Sequence, residues 1–270
     1  MAKSFTLAML IIILQSCGNF KKIQLPERTS FLTGSGFYKQ ATAMNWAARD
    51  SFVLREALAG NVPPFMKKFA PVHVLLIDSL TGKTTKATFY VAPDYLSIGT
   101  GSDWARVNIT PLAAQKIADS FQCFLPTTKM TDDIYKAATV KLEPVPMYAF
   151  RDSTSTMWQH HLIIEGQRKG RKGLIAGILK DVVISGKILR SKNTDRVAIY
   201  GWHKLDGKPI QPLYTGHVYW WVDYSQGIRL VYRRIRVNGR WMDYTDILKK
   251  PVLQKLIFDE EFCDFFRYTY

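Results

Sequence analysis

Four of the five histidines, His160, His161, His203 and His217, fall between positions 160 and 217, and Asp181, Asp223, Tyr224 and Arg229 stand within or just beyond that stretch. Imidazole beside carboxylate is the pairing that proton transfer near neutral pH calls for. His217 and Asp223 lie six apart in a run that predicts a strand, where side chains alternate with period two. Both therefore face one side with Tyr219 and Trp221, while Val218, Trp220 and Val222 take the other. Two chemistries fit. In one, Cys123 is the nucleophile, His217 the base, and Asp223 or another polar group orients the base. A thiolate needs a positive neighbour or a helix N-terminus, and Cys123 closely precedes a predicted helix. In the other, His and Asp side chains hold zinc, with a fourth position open for water. Adjacent residues on a helix point about 100° apart, so at most one of His160 and His161 joins such a site. His203 completes the set of candidates.

A third reading needs no catalysis. Trp202, Tyr214, Tyr219, Trp220, Trp221, Tyr224, Tyr232 and Trp241 crowd one stretch, and such rings pack on sugar faces or accept Arg cations. Arg229, Arg233, Arg234, Arg236 and Arg240 follow, with Arg229 and Arg233 on one strand face and Arg234, Arg236 and Arg240 opposite. An arginine fork binds carboxylate or phosphate bidentately. A glycan or peptide binder would use Trp220, Trp221, Tyr224 and Arg229.

Positioning these residues falls to an α+β arrangement. Apolar spacing predicts a helix from Gln40 to Leu58, and Thr110-Pro111 opens another from Leu112 to Phe121. Leu125-Pro126-Thr127 starts a third, Lys129 to Ala138, making a helical hairpin with Cys123 in its turn. Further helices are predicted over Ser153 to Gln167 and, interrupted at Pro251, Asp246 to Phe266. Strands are predicted at Val72 to Ile77, Ala87 to Ala92, Tyr95 to Ile98, Asp181 to Ser185, Arg196 to Trp202, His217 to Tyr224 and Ile228 to Val237. Asp206-Gly207 and Asn238-Gly239 supply hairpin turns. Helix, strands, paired helices and then a run of strands give one mainly antiparallel α+β domain with flanking helices.

The chain has 270 residues and a formal charge of +15 at pH 7. Its N-terminus reads as an export signal: Lys3 is positive, Phe5 to Leu14 is apolar, and the run is too short for a span, which needs about 20 residues. Leu14-Gln15-Ser16-Cys17 resembles the lipobox of bacterial lipoproteins. That resemblance implies removal of residues 1–16, acylation of Cys17 and a membrane anchor. Gly18 is not the Asp associated with inner-membrane retention, so it further implies an outer-membrane address. Residues 17–36 read as a tether and 37–270 as the domain. For an exported protein the basic excess points to anionic lipid headgroups, lipopolysaccharide, teichoic acids or peptidoglycan carboxylates, and not to nucleic acid. Of the three cysteines, Cys123 and Cys263 remain, as a disulfide or as two thiols.

The order of Cys123, a helix and a later sheet His is loosely similar to papain-like cell-wall endopeptidases, and His217-x5-Asp223 lies one residue short of the motif of zinc D,D-carboxypeptidases. Asn61-Val62-Pro63-Pro64-Phe65, Val91 to Gly99, Leu125 to Met130, Tyr200-Gly201-Trp202-His203, Pro209 to Leu213 and Asp223 to Arg229 resemble a family of uncharacterised secreted bacterial proteins. The expectation is an envelope hydrolase acting on peptidoglycan or another polymer, through Cys123, His203, His217 and Asp223. It would need either no cofactor or zinc.

Overall fold

The computed structural model of the protein describes residues 20, 23–79, 81–190, 195–261 and 263–270; Cys17 and the expected export signal lie outside them. Helix formation follows the capping signals. Thr33, Asn45, Thr110, Thr127 and Ser153 each accept a hydrogen bond from the amide three residues ahead. They open α1 (Gly34–Ala41), α2 (Trp46–Leu58), α3 (Pro111–Ser120), α4 (Thr128–Ala137) and α5 (Thr154–Arg168). The single helix expected over 40–58 is thus divided, because the Asn45 cap restarts it. Asp243 caps α6 (Tyr244–Leu248), and Pro251 opens α7 (Pro251–Gln254). The helix expected to run on to Phe266 ends there.

The strands are β1 (Ala70–Ile77), β2 (Thr84–Val91), β3 (Ser97–Gly99), β4 (Trp104–Arg106), β5 (Cys123–Phe124), β6 (Val140–Lys141) and β7 (Ile175–Ala176), then β8 (Lys180–Val182), β9 (Ile199–His203), β10 (Pro209–Tyr214), β11 (Gln226–Gly227), β12 (Val231–Tyr232), β13 (Arg234–Val237) and β14 (Arg240–Asp243). One sheet runs β14-β13-β2-β12-β5 with β1 beside β2, and a second runs β10-β9-β8-β11. Among the described residues the named strands pair antiparallel except β8 with β11 and β6 with β7. Asn238 (φ 45°) and Gly239 (φ 86°) turn the β13–β14 hairpin, both with the positive φ that a two-residue turn requires. The α+β class holds.

Core packing brings these layers together. Helix α2 packs on α3, while α4 lies between β1 of one sheet and β9 of the other. Phe89, Val91, Phe124, Val183, Ile199 and Ile235 are fully buried in one large apolar cluster. At the start of α1 the chain passes so close to β4 that a Cβ on Gly34 would sit 2.2 Å from the Trp104 backbone, so only glycine fits there.

Three expectations fail here. Residues 23–36 are not a free tether: Ile23 is buried, and Arg28 donates to the Val62 and Gly99 carbonyls at 2.7 and 3.0 Å. Phe20 already stacks 4.3 Å from Tyr90 and 4.8 Å from Tyr232, so the domain reaches well upstream of Phe37. Second, the link between α3 and α4 is not a simple turn, since Cys123 lies in β5. Third, 217–224 is not a strand. Only Val218 bridges, to Arg196, and the Asp223 carboxylate folds back to accept from the Ser225 amide at 3.0 Å. That local Asx turn competes with ladder pairing and ends the extended run.

Candidate functional site

Asp223 is the centre of a buried polar cluster. It is buried, and its Oδ2 accepts from Arg151 at 2.7 Å and from the Lys180 ammonium at 3.3 Å. Its Oδ1 accepts from the Ser225 hydroxyl at 2.8 Å. Burial alone would raise this carboxyl, but Lys180, the Ser225 hydroxyl and Arg151 outweigh it and hold Asp223 below its ordinary value. Lys180 is buried too. Desolvation pulls its pKa down against the opposing pull of Asp223.

Each part has a local cause. Lys180 and Asp181 are successive residues of β8, so the pleat sends them to different neighbours. Lys180 meets Asp223, and its Nζ lies 5.8 Å from the Trp202 ring. Asp181 accepts from the Tyr95 hydroxyl at 3.0 Å and sits 3.9 Å from Arg229. Trp202 follows Gly201 on β9, and both have positive φ, 102° and 58°. A tryptophan held there is strained, which marks positions that packing over-determines. Its buried Nε1 has no hydrogen-bond partner, and neither does Nε2 of the buried His160. Both rings face Tyr224, at centroid distances of 6.3 and 5.0 Å.

His217 stands at the rim of this cluster, with its ring 5.1 Å from Tyr214 and 6.4 Å from Trp221. Burial, then Lys180, pushes its imidazole below the ordinary value, so it is neutral at pH 7. The segment before α5 closes the other side. Arg151 takes the Tyr224 amide on its carbonyl at 2.8 Å, and the Met147 amide donates to the Tyr224 hydroxyl at 2.6 Å. These contacts hold up Tyr148 and Phe150, which are 90% and 81% exposed. Phe150, the chain neighbour of Arg151, has φ 47° and is a second aromatic held in a strained backbone conformation. Trp220 and Trp221, at 39% exposure each, lie just before Asp223 in the chain, with the Trp221 ring near His217.

Not every expected residue arrives. Cys123 lies in the core of the larger sheet, where its thiol donates to the Phe121 carbonyl and burial drives its pKa upward. No base stands beside it in these contacts, so the geometry removes it from the expected site. Cys123 and Cys263 are both free thiols. We therefore expect peptide mapping to find Cys123 unmodified after a thiol reagent is added to native protein and modified after denaturation. Rapid native labelling would contradict its burial.

His203 pairs with Asp132 of α4 at 2.8 Å and stacks on Tyr135 at 4.6 Å, lining a separate cleft of about 330 Å³. His161 packs between Trp104 and Trp158. Tyr224 and Arg229, expected to present a binding surface, are buried. Arg229 donates to the Ala92 and Ile175 carbonyls and lies 3.9 Å over the Tyr95 ring, as a core arginine.

The residues do not suit zinc. Among the described residues no group of three or more His, Cys, Asp and Glu could hold a metal ion. Both oxygens of Asp223 are engaged by Lys180, Arg151 and Ser225, which leaves His217 without a second free ligand.

Sequence reasoning missed Lys180 and Arg151. Lys180-Asp181 had a signal, because two charges interrupt the apolar run Ile175 to Ile184. Arg151 had only the preceding aromatics of a Pro-broken connector. Compared with family models, curated proteins and solved structures, the chain matches none.

Proposed function

We propose that this is a lipid-anchored protein of the bacterial envelope that binds a carboxylate-bearing glycan or peptide polymer, peptidoglycan in class, at the rim around Asp223. One observation carries the reading. Arg151 is half exposed, yet it is oriented by the buried Asp223 carboxylate; the exposed rings Tyr148 and Phe150 precede it in the chain, and the partly exposed Trp220 and Trp221 precede Asp223. Oriented guanidinium favours carboxylate, and exposed rings favour sugar faces. Catalysis by Cys123 or by zinc has no support from the geometry. A second reading, hydrolysis of the bound polymer, is favoured by His217, whose neutral imidazole beside Lys180 could act as a general base.

Co-sedimentation with purified peptidoglycan sacculi tests both. Trp221→Ala and Arg151→Ala are each expected to weaken binding about tenfold or more while the circular dichroism spectrum is kept. Unchanged sedimentation of both variants would overturn the binding reading. Release of soluble fragments by the wild type and not by His217→Gln would establish the second reading.

A further inference from the structure

On β1, β2, β13 and β14 the outer face of the six-stranded sheet carries exposed and half-exposed side chains. Register defines it. Val72, Val74, Ala87, Phe89 and Val91 point into the core, so the alternate residues of β1 and β2 point outward, pairing Leu75 with Lys86 and Ile77 with Thr84. On β13 and β14 the same face carries Arg234, Arg236 and Trp241. Leu75 and Ile77 are 65% and 67% exposed on an edge strand. Such positions invite aggregation unless something covers them.

The N-terminal end of the described chain lies on this face. Phe20 packs against Tyr90 and Tyr232, and the Trp241 ring is 5.8 Å from Tyr90 and 6.3 Å from Tyr232. Only Gly18 and Asn19 separate Phe20 from Cys17, so three Cα-to-Cα steps give a reach of at most about 11 Å even when fully extended. An acyl chain on Cys17 would therefore bring the bilayer to this face. The composition suits it: Trp and Tyr favour the headgroup level, Leu and Ile the layer below, and Lys and Arg the anionic headgroups. The acidic residue on this face, Asp243, is already held by Arg233 at 2.8 Å.

We propose that this face, through Leu75, Ile77, Lys86, Arg234, Arg236 and Trp241, docks flat on an anionic phospholipid surface beside the anchor. The inference rests on the lipid-anchor reading. Docking this face leaves the Asp223 rim, on the other sheet, to take up the polymer.

The test uses residues 17–270 carrying Cys17→Ser, so that binding reports the protein surface and neither the acyl group nor the apolar segment Phe5–Leu14. We expect co-sedimentation with vesicles of phosphatidylcholine and phosphatidylglycerol, and little with phosphatidylcholine alone. At about fivefold per cation, Lys86→Ala/Arg234→Ala/Arg236→Ala should lose about a hundredfold. Leu75→Ser/Ile77→Ser should also weaken binding, whereas Arg168→Ala/Arg171→Ala at the remote basic turn should not. Equal binding to both vesicle types, or equal loss in the remote variant, overturns the proposal. Binding to sacculi through the same three cations, with none to vesicles, would assign the face to a glycan instead. Mass spectrometry of the N-terminal peptide from native membranes separates the two readings. An unmodified Cys17 removes the anchor, while an acylated Cys17 with vesicle binding indifferent to these residues removes only the docking face.

Discussion

Asp223→Ala is expected to lower the unfolding free energy by about 3–5 kcal/mol, because it leaves the Lys180 ammonium buried without its counter-charge. Lys180 cannot relax cheaply. Its side chain is only 4% exposed, and the buried Trp202 ring lies 5.8 Å from its ammonium. Asp223→Asn keeps the shape and the Ser225 contacts, so it should cost less, and Lys180→Met/Asp223→Asn should recover part of the loss by removing both charges. Denaturant melts of the four proteins decide this. A loss below about 1 kcal/mol in Asp223→Ala would mean that Lys180 reaches water and that the pair does not organise the rim. The same pair carries a pH signature. Asp223 titrates below its ordinary value in the fold, so its contribution is complete above the unfolded-state carboxyl pKa and is lost as pH falls through the lower folded value.

Acidification should leave stability nearly level from about pH 6 to about pH 4, followed by a steep fall. His160 and His161 are pushed down to about 3, by burial first and then by Arg106. An unfolded histidine binds its proton near 6.5, so each costs stability as pH drops below that value. Asp50 and Asp181 behave oppositely. Burial raises both to about 6, so the folded state takes up their protons before the unfolded chain does and gains stability over the same interval. Two losses and two gains, each about 1.4 kcal/mol per pH unit, nearly cancel. Below about pH 4 the gains are exhausted. Asp94, Asp132, Asp223 and Asp243, all held below their ordinary values, then resist protonation that the unfolded chain accepts. His161→Phe should break the balance, making stability rise by about 1.4 kcal/mol per unit from pH 6 to 4. Parallel pH profiles for variant and wild type would show that His161 is not buried neutral.

The division between the two chemistries proposed from sequence and the one favoured by the structure turns on burial. Histidine, cysteine, arginine and tyrosine carry the same atoms whether they line a cleft or fill a core. Arg229 and Tyr224 looked like surface recognition residues and are core residues. Arg151, which lies outside any histidine pattern, takes the exposed position instead.

What this sequence determines unaided is local. Side-chain oxygens at Asn45, Thr110, Thr127 and Ser153 meet orphan amides within their own first turn, and Asn238-Gly239 has the backbone freedom for a two-residue hairpin. Such interactions span a few residues, so they can be read from neighbours in the chain, and with them the α+β class. The rim around Asp223 is different. It joins Arg151, Lys180, Trp202 and His217 across long separations, and its one local signal, Asp223 turning back on Ser225, disguised itself as strand alternation. Cys123 shows the same limit from the other side: a helix start was visible in sequence, but which strand would bury the thiol depended on β12 arriving from residues 231–232. Desolvation by distant segments decides which polar groups are buried, paired or left at the surface, and only the tertiary structure brings those segments together.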